Sequence, residues 1–163
     1  MGRLAASLQL TRPRYLFSLP LPVMLTTPTD LALWETLLWA STDADGEPLD
    51  RHYNIGRFGS VDIDPDALRQ LNRQFYWWSD QAAEIMVRHG FGDLCLEDLL
   101  GADRVEHTYV LVRDGRGVGM ADGWTAGSQQ WFCCRELEKL ARAQGEIGAY
   151  VGDDGRIYCS WSI

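Results

Sequence analysis

Residues 107–160 limit the possible folds more than any other part of the chain, because two β-rich pairs there flank a single helical pattern. His107-Thr-Tyr-Val-Leu-Val-Arg113 meets Arg116-Gly-Val-Gly-Met-Ala-Asp122 across Asp114-Gly115, and an Asp-Gly pair between extended runs is a hairpin signal. Glu146-Ile-Gly-Ala-Tyr-Val151 and Arg156-Ile-Tyr-Cys-Ser160 repeat the arrangement around Gly152-Asp153-Asp154-Gly155, residues that tolerate positive φ or bond their own backbone. Between the pairs, Ser128 is placed to cap a helix. Its Trp131, Cys134, Leu137, Leu140 and Ala141 recur at spacings of three and four, and Gly145 ends it. The predicted order of the C-terminal half is β-β-α-β-β.

Upstream, the signals are helical. Thr27 precedes Pro28, with Asp30 three residues on, so a cap, a first-turn proline and an acid at the positive end agree on a helix to about Ala40. Asp64-Pro65 repeats the grammar, with Leu68, Leu71, Phe75, Trp78, Ala82 and Ile85 on one face and a stop at Gly90. Four successive aromatics, Phe75 to Trp78, cannot share a face. Together with Ala83 and Val87, Tyr76 and Trp77 predict a helix sandwiched between core layers, the alternative being an exposed aromatic patch for a partner. Residues 51–61 read as an extended connection, residues 93–100 as a short helix, and Gly101–Arg104 as a linker. The fold class is therefore α+β, with N-terminal helices packed on a small antiparallel sheet.

Residues 1–23 differ in kind from the rest. They carry Arg3, Arg12 and Arg14, no acid, and the run Tyr15-Leu-Phe-Ser-Leu-Pro-Leu-Pro-Val23. Pro20 and Pro22 interrupt what would be the apolar core of a secretory signal. The expectation is a disordered arm or a mis-assigned start with Met24 as the first residue, followed by one domain over residues 24–163. The formal charge of -8 becomes -8 minus 3, or -11, without this segment. Such a balance argues against gripping a phosphate backbone directly, since that binding rests on Lys and Arg. It suits a basic protein partner.

Chemistry-bearing patterns are few. Asp43, Asp45, Glu47 and Asp50 stand in a turn-rich acidic loop, but the twelfth-position Glu of a calcium loop is missing. Cys95, Cys133, Cys134 and Cys159 form no C-x-x-C pair, which predicts reduced, mostly buried thiols; the alternative is a zinc site using a Cys with His52, His89 or His107. Gly115, Gly117 and Gly119 open no helix, so they fail as a dinucleotide fingerprint and instead predict a close backbone approach. Asp153-Asp154 reads as a turn. Joined by Asp122, it is also the candidate carboxylate set of a divalent-metal hydrolase or nucleotide-binding enzyme. No cofactor and no membrane span are expected.

The stretches His107 to Asp122 and Gly145 to Tyr158, with the closing Tyr-Val-Gly-Asp-Asp-Gly, the upstream Asp-Gly-Glu-Pro-Leu-Asp and the helix after Asp64-Pro65, resemble a group of small acidic bacteriophage and prophage proteins of mostly unassigned function. The likeness covers about residues 29–160 and departs at Met120-Ala121 and around Cys133-Cys134. It implies a gene product acting in the cytoplasm of a bacterial host by binding, not catalysis. The partner implied is a host protein or ribonucleoprotein complex with a basic surface, as for anti-CRISPR or antirestriction inhibitors; a virion accessory role is a further alternative. The expected contacts are Asp43, Asp45, Glu47, Asp50, Asp153 and Asp154, with Trp77 or Trp124 as a buried anchor.

Overall fold

The computed structural model describes residues 27–51, 63–100, 105–117 and 119–162. The segment 1–23, residues 52–61 of the extended connection and the linker 101–104 lie outside them. Helix α1 (Pro28–Ala40) begins as its caps dictate: Thr27 accepts a hydrogen bond from the Asp30 backbone N–H at 3.1 Å. Asp30, Leu33, Trp34, Thr36, Leu37, Leu38 and Ala40 are all buried, so this helix is apolar around most of its circumference. That is the pattern of a helix enclosed by its neighbours.

The second helix, α2 (Pro65–Arg88), is capped by Asp64, whose carboxylate accepts from the N–H groups of Asp66 and Ala67. It buries the expected face, Leu68, Leu71, Phe75, Trp78, Ala82 and Ile85, and Gly90 ends it at φ +80. It is not sandwiched. Tyr76, Trp77, Ala83 and Val87 are exposed, and α1 takes the enclosed position instead. A short α3 (Leu96–Leu100) follows.

The first predicted hairpin does not exist. Residues 105–114 form helix α4 (Val105–Asp114), and residues 115–117 and 119–128 are turns and loop. The β-β-α-β-β order is thus replaced by helices and a single hairpin. Asp114-Gly115 closes a helix where it was expected to close a hairpin: Gly115 takes φ +71 and the Arg116 N–H reaches back to the Leu111 carbonyl at 3.2 Å. This is the six-residue return of a Schellman stop, which needs the same left-handed glycine as a tight β-turn. Thr108, Val110 and Val112 weaken the helix only by a few tenths of a kcal/mol each. Burying Val105, Tyr109, Val110 and Val112 outweighs that, at about 25 cal/mol per Å² of apolar surface. Gly117 does permit a close approach, since a Cβ there would fall 2.6 Å from the Cβ of Leu111.

Helix α5 (Gln129–Arg142) starts at Ser128, which accepts from the Trp131 N–H, and runs out at Gly145, φ +83. The closing hairpin is present as expected: β1 (Glu146–Val151) pairs antiparallel with β2 (Ile157–Ser162), from Glu146 opposite Ser162 to Val151 opposite Ile157. Ile157 also accepts from the Asp64 N–H at 2.9 Å, fastening β2 to the start of α2. The fold is mixed α and β, with five α-helices and a two-stranded antiparallel sheet among the described residues. No helix among them is long and apolar enough to cross a membrane.

Ile147, Ala149 and Ile157 turn the hairpin's inner face into a core otherwise built by the helices. Phe75, Trp78 and Tyr109 meet at its centre with ring centroids 5.0–5.9 Å apart. Beside them Arg113 is only 2% exposed. Its guanidinium donates to the Gly145 and Gln144 carbonyls at 3.0 Å each, to Gln74 Oε1 at 2.8 Å and to the Tyr109 hydroxyl at 2.9 Å. Tyr109 passes its own proton on to Gln144, whose amide donates to the Gln74 carbonyl. Burial lowers the Arg113 pKa and raises that of Tyr109.

Replacing Arg113 by Met leaves two backbone carbonyls and Gln74 without donors, each worth about 1–3 kcal/mol when buried. Urea denaturation of R113M should show a loss of roughly 2–4 kcal/mol with the slope unchanged. A loss below about 1 kcal/mol would contradict this role for the network.

Candidate partner-binding surface

The acidic loop is held by its own first acid. Asp43 Oδ1 accepts from the N–H groups of Asp45 and Glu47, both at 2.9 Å, while the Asp43 N–H donates to the Glu47 carbonyl at 2.9 Å. Thr42 and Pro48 bridge the base, and Leu49, 1% exposed, pins the loop to the core. Asp45, Glu47 and Asp50 consequently point into solvent, with Glu47 paired to Arg51. The Asp43 side chain is half-buried.

The hairpin turn follows the same logic. Asp154 accepts from the Arg156 N–H at 3.1 Å and from the Tyr158 hydroxyl at 2.9 Å. The Arg156 backbone bond, then the Tyr158 hydroxyl, hold its carboxyl below the usual aspartate range, and the same contact raises the Tyr158 pKa. Asp153 is exposed beside it. Of the six acids in these two segments that sequence reasoning treated alike, Asp43 and Asp154 build the turns and Asp45, Glu47, Asp50 and Asp153 face outward.

The acidic loop and the end of β1 meet at a groove of about 560 Å³ lined by Thr42, Asp43, Ala44, Asp45, Leu49, Tyr150 and Val151; Asp153 and Asp154 do not line it. Ser41 ties its floor together by accepting from the buried Ala149 N–H at 2.8 Å. Tyr150, 49% exposed, stacks on Tyr158 at 5.7 Å and offers an aromatic wall. Sequence reasoning found the acids but not Tyr150 or Leu49, because the groove depends on a pairing across more than a hundred residues.

The two expected indole anchors differ. Trp77 is 48% exposed on α2 and does not line the groove. Trp124 is partly buried against the core, its Nε1–H donating to the Leu99 carbonyl at 3.0 Å, so it clamps α3. Asp122 accepts from the Gly119 N–H at 2.8 Å. Among the described residues no three His, Cys, Asp or Glu side chains converge as a metal site, so Asp122, Asp153 and Asp154 are not brought together there. His89 Nε2 lies 2.7 Å from Glu136, and His107 Nδ1 lies 3.2 Å from the Thr36 hydroxyl; His52 is outside the described residues. Because Thr36 spends its proton on the Ala32 carbonyl, His107 is the donor to it.

A second groove, about 780 Å³, was not foreseen. It is lined by His89, Phe132, Arg135, Glu136, Glu138, Lys139 and Arg142. Its cations recur every three or four residues along α5, a readable signal. Glu138, 5% exposed, bonds Arg135 and Arg142, and Glu136 is held below the usual glutamate range first by the His89 hydrogen bond and further by Arg88. The groove is therefore largely neutralised from within.

All four cysteines are free. Cys133 and Cys134 on α5 are both fully buried, and burial pushes them up to about 11 and about 12. Burial also raises Cys159 to about 12, while exposed Cys95 is raised by its hydrogen bond with Asp98. Comparison of the chain with protein-family models, curated proteins and solved structures returned no match.

Titration with a disulfide reagent at mildly alkaline pH should modify Cys95 first in the native protein and all four thiols after denaturation; modification of Cys133 or Cys134 as fast as Cys95, or of the partly buried Cys159 ahead of it, would contradict this packing. A lowered native pKa at Asp154 means its contribution is full above the unfolded carboxylate value and is lost as pH falls through the native one. The hairpin amide shifts should accordingly titrate with a midpoint below 3.8, the ordinary value; a midpoint at or above it would show that these bonds do not form.

Proposed function

We propose that the chain is a non-enzymatic acidic binding protein of bacteriophage origin, working in the cytoplasm of a bacterial host by docking on a basic surface of a host protein or ribonucleoprotein complex. The targets this favours are nucleic-acid-handling or defence complexes, which carry clusters of Lys and Arg for their own substrates. The observation that carries it is the groove in which Asp43 and Asp45 face the half-exposed ring of Tyr150. A Lys or Arg side chain fits such a place, its aliphatic stem on the ring and its charge toward the carboxylates. Outward Asp50 and Asp153 add to the negative field that steers a basic partner.

The sequence's balance of charge supports the same reading, since -8 over 163 residues disfavours direct contact with nucleic acid. Catalysis by Asp122, Asp153 and Asp154 has no comparable support, because two of the three carboxylates are engaged by backbone or side-chain donors within their own turns.

Affinity capture from host lysate tests the proposal. The full chain should retain a protein or complex at low salt and release it at about 0.5 M, where exposed charges are screened within a few ångströms. A variant carrying D45K, D50K and D153K should lose at least about tenfold in affinity and keep its fold, since these carboxylates build no turn. A captured partner indifferent to both salt and charge reversal would overturn the proposal. So would thermal stabilisation by magnesium or manganese that D154N abolishes, which would favour the metal-dependent enzyme.

A further inference from the structure

Formal charge is spread unevenly over this chain. The groove between the end of α2 and the exposed face of α5 carries Arg88, Arg135, Lys139 and Arg142 against Glu136 and Glu138, four cations less two carboxylates, or +2 with His89 neutral. The remainder of the molecule therefore holds -8 minus 2, or -10. A positive site stands on an acidic body.

A buried carboxylate fixes the shape of that site. Glu138 is only 5% exposed, and a charge taken out of water must be paired. Its hydrogen-bond partners among the described residues are Arg135 at 3.4 Å and Arg142 at 3.1 Å, so it holds both guanidiniums on one helix face, on either side of Lys139. Glu136 fastens the other wall, taking Arg88 at 3.1 Å and His89 Nε2 at 2.7 Å. Lys139 is exposed and has no acid partner among the described residues. Phe132, 52% exposed, adds an apolar rim. Cations fixed before binding lose little freedom on meeting an anion.

The complement lies on the same chain. The acidic loop is a stiff turn that projects Asp45 and Asp50, with Tyr150, 49% exposed, in the wall of its groove. No residue lines both grooves, so both can be occupied at once. Two copies at -8 repel at a distance. At physiological salt that repulsion is screened beyond about 8 Å, and the charges that touch decide.

We propose that the α2–α5 groove of one copy receives the acidic loop of a second, Asp45 and Asp50 meeting Arg135, Lys139 and Arg142 while the Phe132 and Tyr150 rings lose part of their exposure. The contact joins unlike surfaces of the two copies. It occupies the acids offered to the host partner, so self-association and partner capture exclude each other. Self-association rests on the acidic face named above as a docking surface, and not on the host complex.

Sedimentation of the purified full chain tests it with no host component present. At low salt and rising concentration the average mass should climb above the 18.4 kDa of one copy, and at about 0.5 M salt, where exposed charges are screened within a few ångströms, it should return to that value. R135Q/K139E, which leaves Arg142 on Glu138, and D45K/D50K should each stay monomeric alone and keep the circular dichroism of the unaltered chain. Mixed in equal amounts they should associate with each other, since one retains the acidic loop and the other the basic groove. R135K/K139R should associate like the unaltered chain. An unaltered chain that stays monomeric overturns the proposal, as it would if the groove served an outside acidic partner. Association that survives either charge change alone, or a mixture of folded variants that stays monomeric, overturns it too. A mixture that associates while lysate capture yields no partner upholds the contact between copies and removes the host reading alone.

Discussion

A guanidinium taken out of water must recover its hydration from fixed oxygens, and Arg113 recovers it from three elements at once. Two of its acceptors are the carbonyls just beyond α5, at the negative end of that helix, where a cation is favoured. The others come from α2 and from its own helix. The rings of Tyr109 and Trp161 lie 5.4 and 5.7 Å from the charge, and Trp161 brings β2 into the same assembly. Among the described residues its hydrogen-bond partners include no carboxylate. Directional oxygens fix the relative placement of α2, α4, α5 and the hairpin more narrowly than a hydrophobic contact would, since each donor has only one geometry that satisfies it.

From that placement the surface follows. The turn after α5 sets the start of β1, and β1 in turn offers the Ala149 N–H to Ser41 at the end of α1. The acidic loop and the hairpin are thereby held against each other, although Leu49 and Tyr150 stand 101 positions apart in the sequence. Asp43 and Asp154 then close their turns with their own carboxylates, which leaves Asp45, Asp50 and Asp153 outward. Negative charge presented on two stiff turns costs less ordering on binding than the same charge on a loose tail.

How much of this could be read beforehand depended on how local the determining interactions are. Thr27, Asp64 and Ser128 each cap a helix through an atom two or three residues away, and Gly90 and Gly145 stop one by backbone geometry alone. Gly152 to Gly155 likewise fold on themselves. His107 to Arg113 misled because β-branched residues and Asp-Gly are locally consistent with a hairpin, and only enclosure by α1, α5 and β1 decides for a helix. The acids of the candidate site were legible, but which of them would be spent inside a turn was not. Trp124 looked available and is engaged by Leu99, a contact no local pattern announces.

Side-chain proton exchange at Arg113 tests the central claim most directly. Nitrogen-resolved spectra at neutral pH should show one guanidinium whose Nε–H and Nη–H protons are resolved and exchange slowly with water, with contacts to the Tyr109 and Trp161 rings. An Arg113 signal that exchanges as fast as those of the surface arginines, with its Nη protons averaged, would mean that the cation is solvated and that something else holds the helices and the hairpin together.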